Sequence, residues 1–132
     1  GFKTALAKCP NVKIVADTDS NGSRTKASND MSDILQAHSD LKGVFGINDD
    51  SALGAVTAIQ TAGKSGVAVV GYDAAPEARA AIKNGKMYGD AIQHPDQIGK
   101  LTIDAIHDYF TGKKVAKSYA VPVGTFTKAD AK

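Results

Sequence analysis

VFGINDDSALGA, Val44 to Ala55, decides the fold. It opens as a short apolar run, breaks into one amide and two carboxylates at Asn48, Asp49 and Asp50, and continues as small and apolar residues at helical spacing. An apolar run that ends in side-chain acceptors and passes straight into a helical period reads as a buried strand feeding an α-helix. Asp50 or Ser51 is expected to cap that helix, and Gly63 to stop it near Ala62 by accepting a left-handed conformation.

The same alternation repeats on both sides of this stretch, which is the mark of βαβ units and of an α/β fold. Upstream, Phe2 to Lys8 reads as the end of a helix stopped by Pro10, and VKIVA, Val12 to Ala16, as a buried strand. Ala27, Met31, Ile34, Leu35 and His38 share one face of a predicted helix over Arg24 to His38. Downstream, VAVVGY, Val67 to Tyr72, is the most apolar run and is expected at the centre of the sheet. Pro76 suits the first turn of a short helix ending near KNGK. MYGDAIQ, Met87 to Gln93, alternates like a strand nearer an edge. Pro95 opens the longest amphipathic helix, with Ile98, Leu101, Ala105 and Tyr109 on one face, Ile106 and Phe110 widening it, and Gly112 ending it. In the tail, YAVPVGTF holds one or two short strands, and Pro122 argues for an edge.

Composition narrows the function classes. The 132 residues are 42% hydrophobic and 23% charged, enough apolar content for a real core. The net charge is +2 with the lysines scattered, so no nucleic-acid stripe is present. No apolar run approaches a membrane span, and GFKTALAKCP lacks a signal-peptide core, so a soluble chain is expected, with any export signal removed or upstream. The lone cysteine, Cys9, has no internal disulfide partner and reads as a bystander thiol near a helix end.

In an open parallel sheet, ligands bind beyond the carboxyl ends of the strands. Three consecutive strands end in hydrogen-bonding side chains: GVFGI in Asn48, VAVVGY in Asp73, and MYGDAI in Gln93. Two amides and a carboxylate offer donors and acceptors at fixed positions, as a neutral polyhydroxyl ligand requires, and are poor proton-transfer groups near neutral pH. Taken singly, each is better read as a cap or turn residue, and Asp49 and Asp50 fit the first turn of a helix best. Their joint occurrence makes the site.

Three segments, GVFGINDDSALGAVTAIQTAGK, VAVVGYDAAPEARAAIKNGK and YGDAIQHPDQIGK, resemble the C-terminal half of a periplasmic sugar-binding protein of the ribose-binding type, and the likeness runs over essentially the whole chain. The resemblance implies a doubly wound, mostly parallel sheet flanked by helices, forming one lobe of a two-lobed, hinged type I periplasmic binding fold. The whole closes on a monosaccharide or polyol and hands it to the permease of an ATP-driven (ABC) importer. It implies that Asn48 and Asp73 hydrogen-bond sugar hydroxyls, that Gln93 is the amide at the hinge, and that Asp49 to Ser51 mainly start the helix behind the site. It implies a periplasmic location, or an extracellular lipid-anchored one where there is no outer membrane; from the residues themselves no catalytic residue, cofactor, metal or nucleic-acid partner is expected.

Two departures accompany it. Ribose-type members often carry a stacking aromatic after the strand matching VKIVA, whereas DTDSNGSR has none between Asp17 and Arg24. Residues 1–132 also correspond to the C-terminal lobe alone, a truncation in which 94–114 would cross to an absent N-terminal lobe. The 95–111 helix is therefore expected to dock elsewhere on the chain, to be mobile, or to drive self-association. The effector-binding core of a sugar-responsive transcriptional repressor shares the fold and an ND strand end. IQHPDQIG and the tail look more like transport proteins.

Other motifs lead nowhere. DTDSNG matches the start of a calcium loop, but Ser28 stands where a Glu belongs, and a polar loop capping the Arg24 helix is the better reading. His38, His94 and His107 lack metal spacing, the glycines form no phosphate loop, and no serine sits in a nucleophile elbow.

Overall fold

The structure, a computed structural model, describes residues 1–131. Its elements run α1 (Phe2–Leu6), α2 (Arg24–Ala37), β1 (Gly43–Phe45), α3 (Asp49–Thr61), β2 (Ala68–Asp73), α4 (Pro76–Lys83), β3 (Gly89–Ile92), α5 (Pro95–Phe110) and β4 (Gly124–Thr127). The strands form one sheet in the order β1-β2-β3-β4, the first three parallel and β4 antiparallel at the edge. This is the expected mostly parallel α/β sheet, with VAVVGY inside it and the strand after Pro122 at its edge. MYGDAIQ, expected nearer an edge, lies one strand further in, because β4 pairs along it from Gly89 to Ile92.

The core fills the face covered by α3 and α4, with α2 lying against α3. Met31 and Leu35 of α2, Ala52, Val56 and Ile59 of α3, Val69 of β2, and Ala78 and Ile82 of α4 form one buried cluster. On the opposite face Phe2 of α1 stacks on Phe45 of β1, ring centroids 4.5 Å apart. Gly54 lets α2 and α3 close on each other, since a Cβ there would stand 2.3 Å from the Arg24 carbonyl oxygen and 3.1 Å from Ala27 Cβ. Gly63 and Gly112 follow α3 and α5 with φ of 63° and 77°, the left-handed stops anticipated from sequence.

Three expectations are corrected. VKIVA forms no strand: Val12, Ile14 and Val15 are all more than two-fifths exposed, and the segment pairs with no described strand. Apolar β-branched residues favour a strand but do not supply the neighbour whose backbone groups must pair with it. The cap of α3 is Asn48, not Asp50 or Ser51: its Oδ1 accepts from the Ser51 amide at 2.9 Å, so helical geometry begins two to three residues earlier, at Asp49. Asp49 does more than start that helix, because it is buried with a partner in another loop.

The α5 helix forms as expected but has no buried residue, and Ile103, Tyr109 and Phe110 are 65%, 70% and 80% exposed. The segment 115–121 runs beside it and leaves a groove of about 670 Å³ lined by Leu101, Ala105, Tyr109, Val115 and Tyr119 among others. No helix is long and apolar enough to cross a membrane among the described residues.

Candidate functional site

Because β1, β2 and β3 are adjacent and parallel, their carboxyl ends lie side by side on one edge of the sheet. The pairing of Gly43 with Ala68 and Phe45 with Val70, continued past the ladder, sets Asn48 level with Asp73 on the next strand. Asp73 in turn pairs with Ile92, immediately before Gln93. The strand spacing of about 4.8 Å brings the three candidate residues within reach of one small molecule.

Asp73 and Gln93 touch: Gln93 Nε2 donates to Asp73 Oδ1, both side chains being half-buried. Asp73 and Ala74 carry φ of 126° and 58°, in the left-handed half of conformational space where a residue with a Cβ is strained. The loop is held there by two side chains. Arg79 Nε donates to the Ala74 carbonyl at 2.6 Å, and the Ala75 amide donates to Asp49 Oδ2 at 2.7 Å. Strain of this kind persists where the surroundings over-determine it, typically at ligand clamps.

Asn48 is turned partly inward. Besides capping α3, its Nδ2 donates to the Gly22 carbonyl at 3.3 Å, and Ser20 Oγ lies 3.1 Å from Ser51 Oγ, so the 17–23 loop is docked on the start of α3. A carboxamide carries two donor hydrogens and two acceptor lone pairs, so these bonds leave Asn48 one of each. Capping and ligand binding are compatible, and the internal bonds fix the direction of the remainder. Asp73 has one oxygen engaged by Gln93, and its second lies outside that bond.

The rim carries a cation between two carboxylates. Arg24, the first residue of α2, reaches Asp50 in the first turn of α3 at 2.8 Å and Glu77 in the first turn of α4 at 2.7 Å. One guanidinium thus ties together three helix N-termini, and its hydrogen bond holds the Glu77 carboxyl below the usual range. The sequence reading missed this clamp, since nothing local links positions 24, 50 and 77.

It also missed Asp90, and that Asp49, expected only as a first-turn acid of α3, is buried with it below the site. Asp49 and Asp90 are 6% and 5% exposed, and Gly71 of β2 lies between them. Asp90 is the register partner of Gly71, and a Cβ on Gly71 would stand 2.8 Å from Asp49 Oδ1. An acid inside the apolar alternation of MYGDAI is the signal that pointed there. No group of three His, Cys, Asp or Glu residues among those described is arranged to hold a metal ion, and the acids of DTDSNG are engaged locally: Asp17 by Lys3 and Asp19 by the Asn21 amide. Ser23 caps α2 through the Lys26 amide, as that loop was expected to do.

Comparison with known proteins matches residues 1–114 to the periplasmic binding protein domain. The ribose import binding protein of Salmonella typhimurium is 40% identical over 121 residues, covering 92% of this chain and 40% of that protein. A solute-binding protein of Actinobacillus succinogenes with bound D-allose superposes with a TM-score of 0.90 at 33% identity, covering 98% of this chain and 46% of the other. The arabinose transporter's binding protein from Shewanella sp. ANA-3, bound to L-arabinofuranose, gives 0.91 at 32% identity, over 99% and 45%. The chain thus spans about two-fifths of the length of that curated relative and under half of those structures.

Proposed function

We propose, from the premise that this chain belongs to the periplasmic binding protein domain family, that it is the C-terminal lobe of a solute-binding protein that captures a monosaccharide or polyol for an ABC importer. In this reading residues 1–132 are one lobe, 94–114 cross to a second lobe, and the ligand lies between the two. The observation that carries it is the pairing of Asp73 with Gln93 at a strained strand end, one strand from Asn48. Such a set matches vicinal hydroxyls, with Asp73 accepting from two of them and the amides supplying donors and acceptors around the ring. It offers no activated nucleophile and no group suited to proton transfer, so binding rather than turnover is its chemistry. The relatives carry transport names, covering ribose, D-allose and L-arabinose, and the repressor reading draws no support from them.

Mechanistically, contacts from both lobes favour the closed form, which the permease then recognises outside the cytoplasmic membrane, in a periplasm or at a lipid-anchored surface. Isothermal titration of the two-lobed protein with ribose, D-allose, L-arabinose and myo-inositol tests the reading. One of these is expected to bind, and Asp73→Ala to weaken it by about 10- to 150-fold, the equivalent of roughly 1.5 to 3 kcal/mol for a lost charged acceptor. Unchanged affinity after Asp73→Ala would remove that residue from the site.

A further inference from the structure

Two carboxylates buried side by side need an explanation that sugar binding does not supply. Asp49 Oδ1 and both oxygens of Asp90 are shut off from solvent and accept no well-formed hydrogen bond, the Ala91 backbone being the donor nearest to Asp90 in effect. Register partners in parallel strands project to the same face, so the Asp90 side chain leaves β3 on the side where Asp49 Oδ1 crowds the bare face of Gly71. Two ionised carboxylates so placed repel each other in a medium that screens poorly, whereas one proton between them turns the repulsion into a short hydrogen bond.

We propose that Asp49 and Asp90 share one proton, and that this proton positions the loop carrying Asp73. The link to the loop is Asp49 Oδ2, which accepts the Ala75 amide two residues beyond Asp73. With the proton in place Asp49 is held under Gly71 and the Asp73–Ala74 turn stays in its strained form. When the proton leaves, the pair is pushed apart, and among the described residues the side-chain hydrogen bond that leads out of it is the one from the Ala75 amide. The charged and polar groups that act on Asp90 come from several elements, and the Ala91 backbone of β3 acts in the opposite direction to the rest. From α3 comes Asp49 and from β2 the charge of Asp73, while β4 sets Phe126 opposite it. The Arg79 guanidinium of α4 lies 4.8 Å from the Phe126 ring centroid. Burial above all, then Asp49, then the charge of Asp73 push the Asp90 carboxyl up to about 7, which brings the event to near-neutral pH.

The sign follows from that direction. A carboxyl whose folded value is raised binds its proton more tightly in the folded chain, so its contribution to stability is complete below the ordinary value of 3.8 and is lost as pH rises towards about 7. The proposal rests on the sugar-binding reading only for the meaning of moving Asp73, and its test uses no sugar, so the two fail separately.

Carboxyl-carbon NMR titration of the unaltered chain, with amide exchange at Ala75 followed in parallel, is the experiment. Asp90 is expected to titrate near neutrality, and the opening of Ala75, corrected for intrinsic base catalysis, to rise by up to about tenfold per unit of pH below that midpoint and to level off above it. Asp90→Asn, which keeps a donor without a titrating proton, should hold Ala75 at the low-pH level throughout and flatten the pH dependence of thermal unfolding. Asp90 titrating in the ordinary carboxylate range, or Ala75 exchanging independently of Asp90, would overturn the proposal. So would a midpoint that moves with millimolar sodium or calcium, because the space would then hold a cation.

Discussion

In the sugar-binding reading, one side chain, Asn48, would serve two ends. Its capping bond to Ser51 and its bond to Gly22 orient the carboxamide, and orientation is what a sugar-binding amide needs, since a misdirected donor costs affinity as surely as an absent one. Asn48→Ala removes the cap, so chemical denaturation of this chain should show a loss of about 1 kcal/mol, within the usual 0.5–2 kcal/mol for a lost cap. Stability equal to that of the parent would mean that the amide is kept for the ligand alone. From sequence, Asn48, Asp73 and Gln93 were legible as a set because each stands where an apolar run stops. Which of them also bonds to the fold was not legible: a cap and a ligand group look identical until the partner is known. The strain at Asp73 and Ala74 was hidden for a related reason, since neither residue type announces a positive φ as glycine does.

Elements were legible where the period was long and the stop residue explicit. α2, α3 and α5 follow their apolar stripes to within a residue or two, and Gly63, Gly85 and Gly112 all end helices with positive φ. VKIVA was misread because a strand is a property of two segments, and the run identifies only one. Asp90 was overlooked for the converse reason: alternation alone gives the period of β3 but not which face is covered, and the long-range pairing with β4 made it an interior strand. Packing between elements is testable at Gly54, where the α2 backbone approaches too closely for any side chain. Gly54→Ala gains helix propensity of roughly 0.8–1 kcal/mol, but forces the helices apart at a cost of about 1–3 kcal/mol or more. A net fall in unfolding temperature is the expected result. A rise would show that α2 and α3 separate without penalty.

For the whole molecule the telling contrast is between a site built on well-packed strands and a sixteen-residue helix that buries nothing. Ile98 and Ile106 lie on the apolar side of α5, along the groove, and are 42% and 47% exposed. An amphipathic stripe of this kind contributes stability only when covered, and in the two-lobed reading the second lobe covers it. Ile98→Asp combined with Ile106→Asp separates the two states. In this chain alone the carboxylates would remain hydrated, and unfolding should move by no more than about 0.5 kcal/mol per site, as for ordinary surface changes. In the two-lobed protein the same carboxylates would be buried without partners, at a cost of several kcal/mol, and sugar affinity should fall with them because closure needs both lobes in register. Calorimetric unfolding of both proteins, with and without sugar, reads the difference. If the double substitution unfolds the single lobe, α5 belongs to this lobe's own core. If it leaves the two-lobed protein untouched, the stripe faces water there too, and residues 94–114 do not cross to a second lobe.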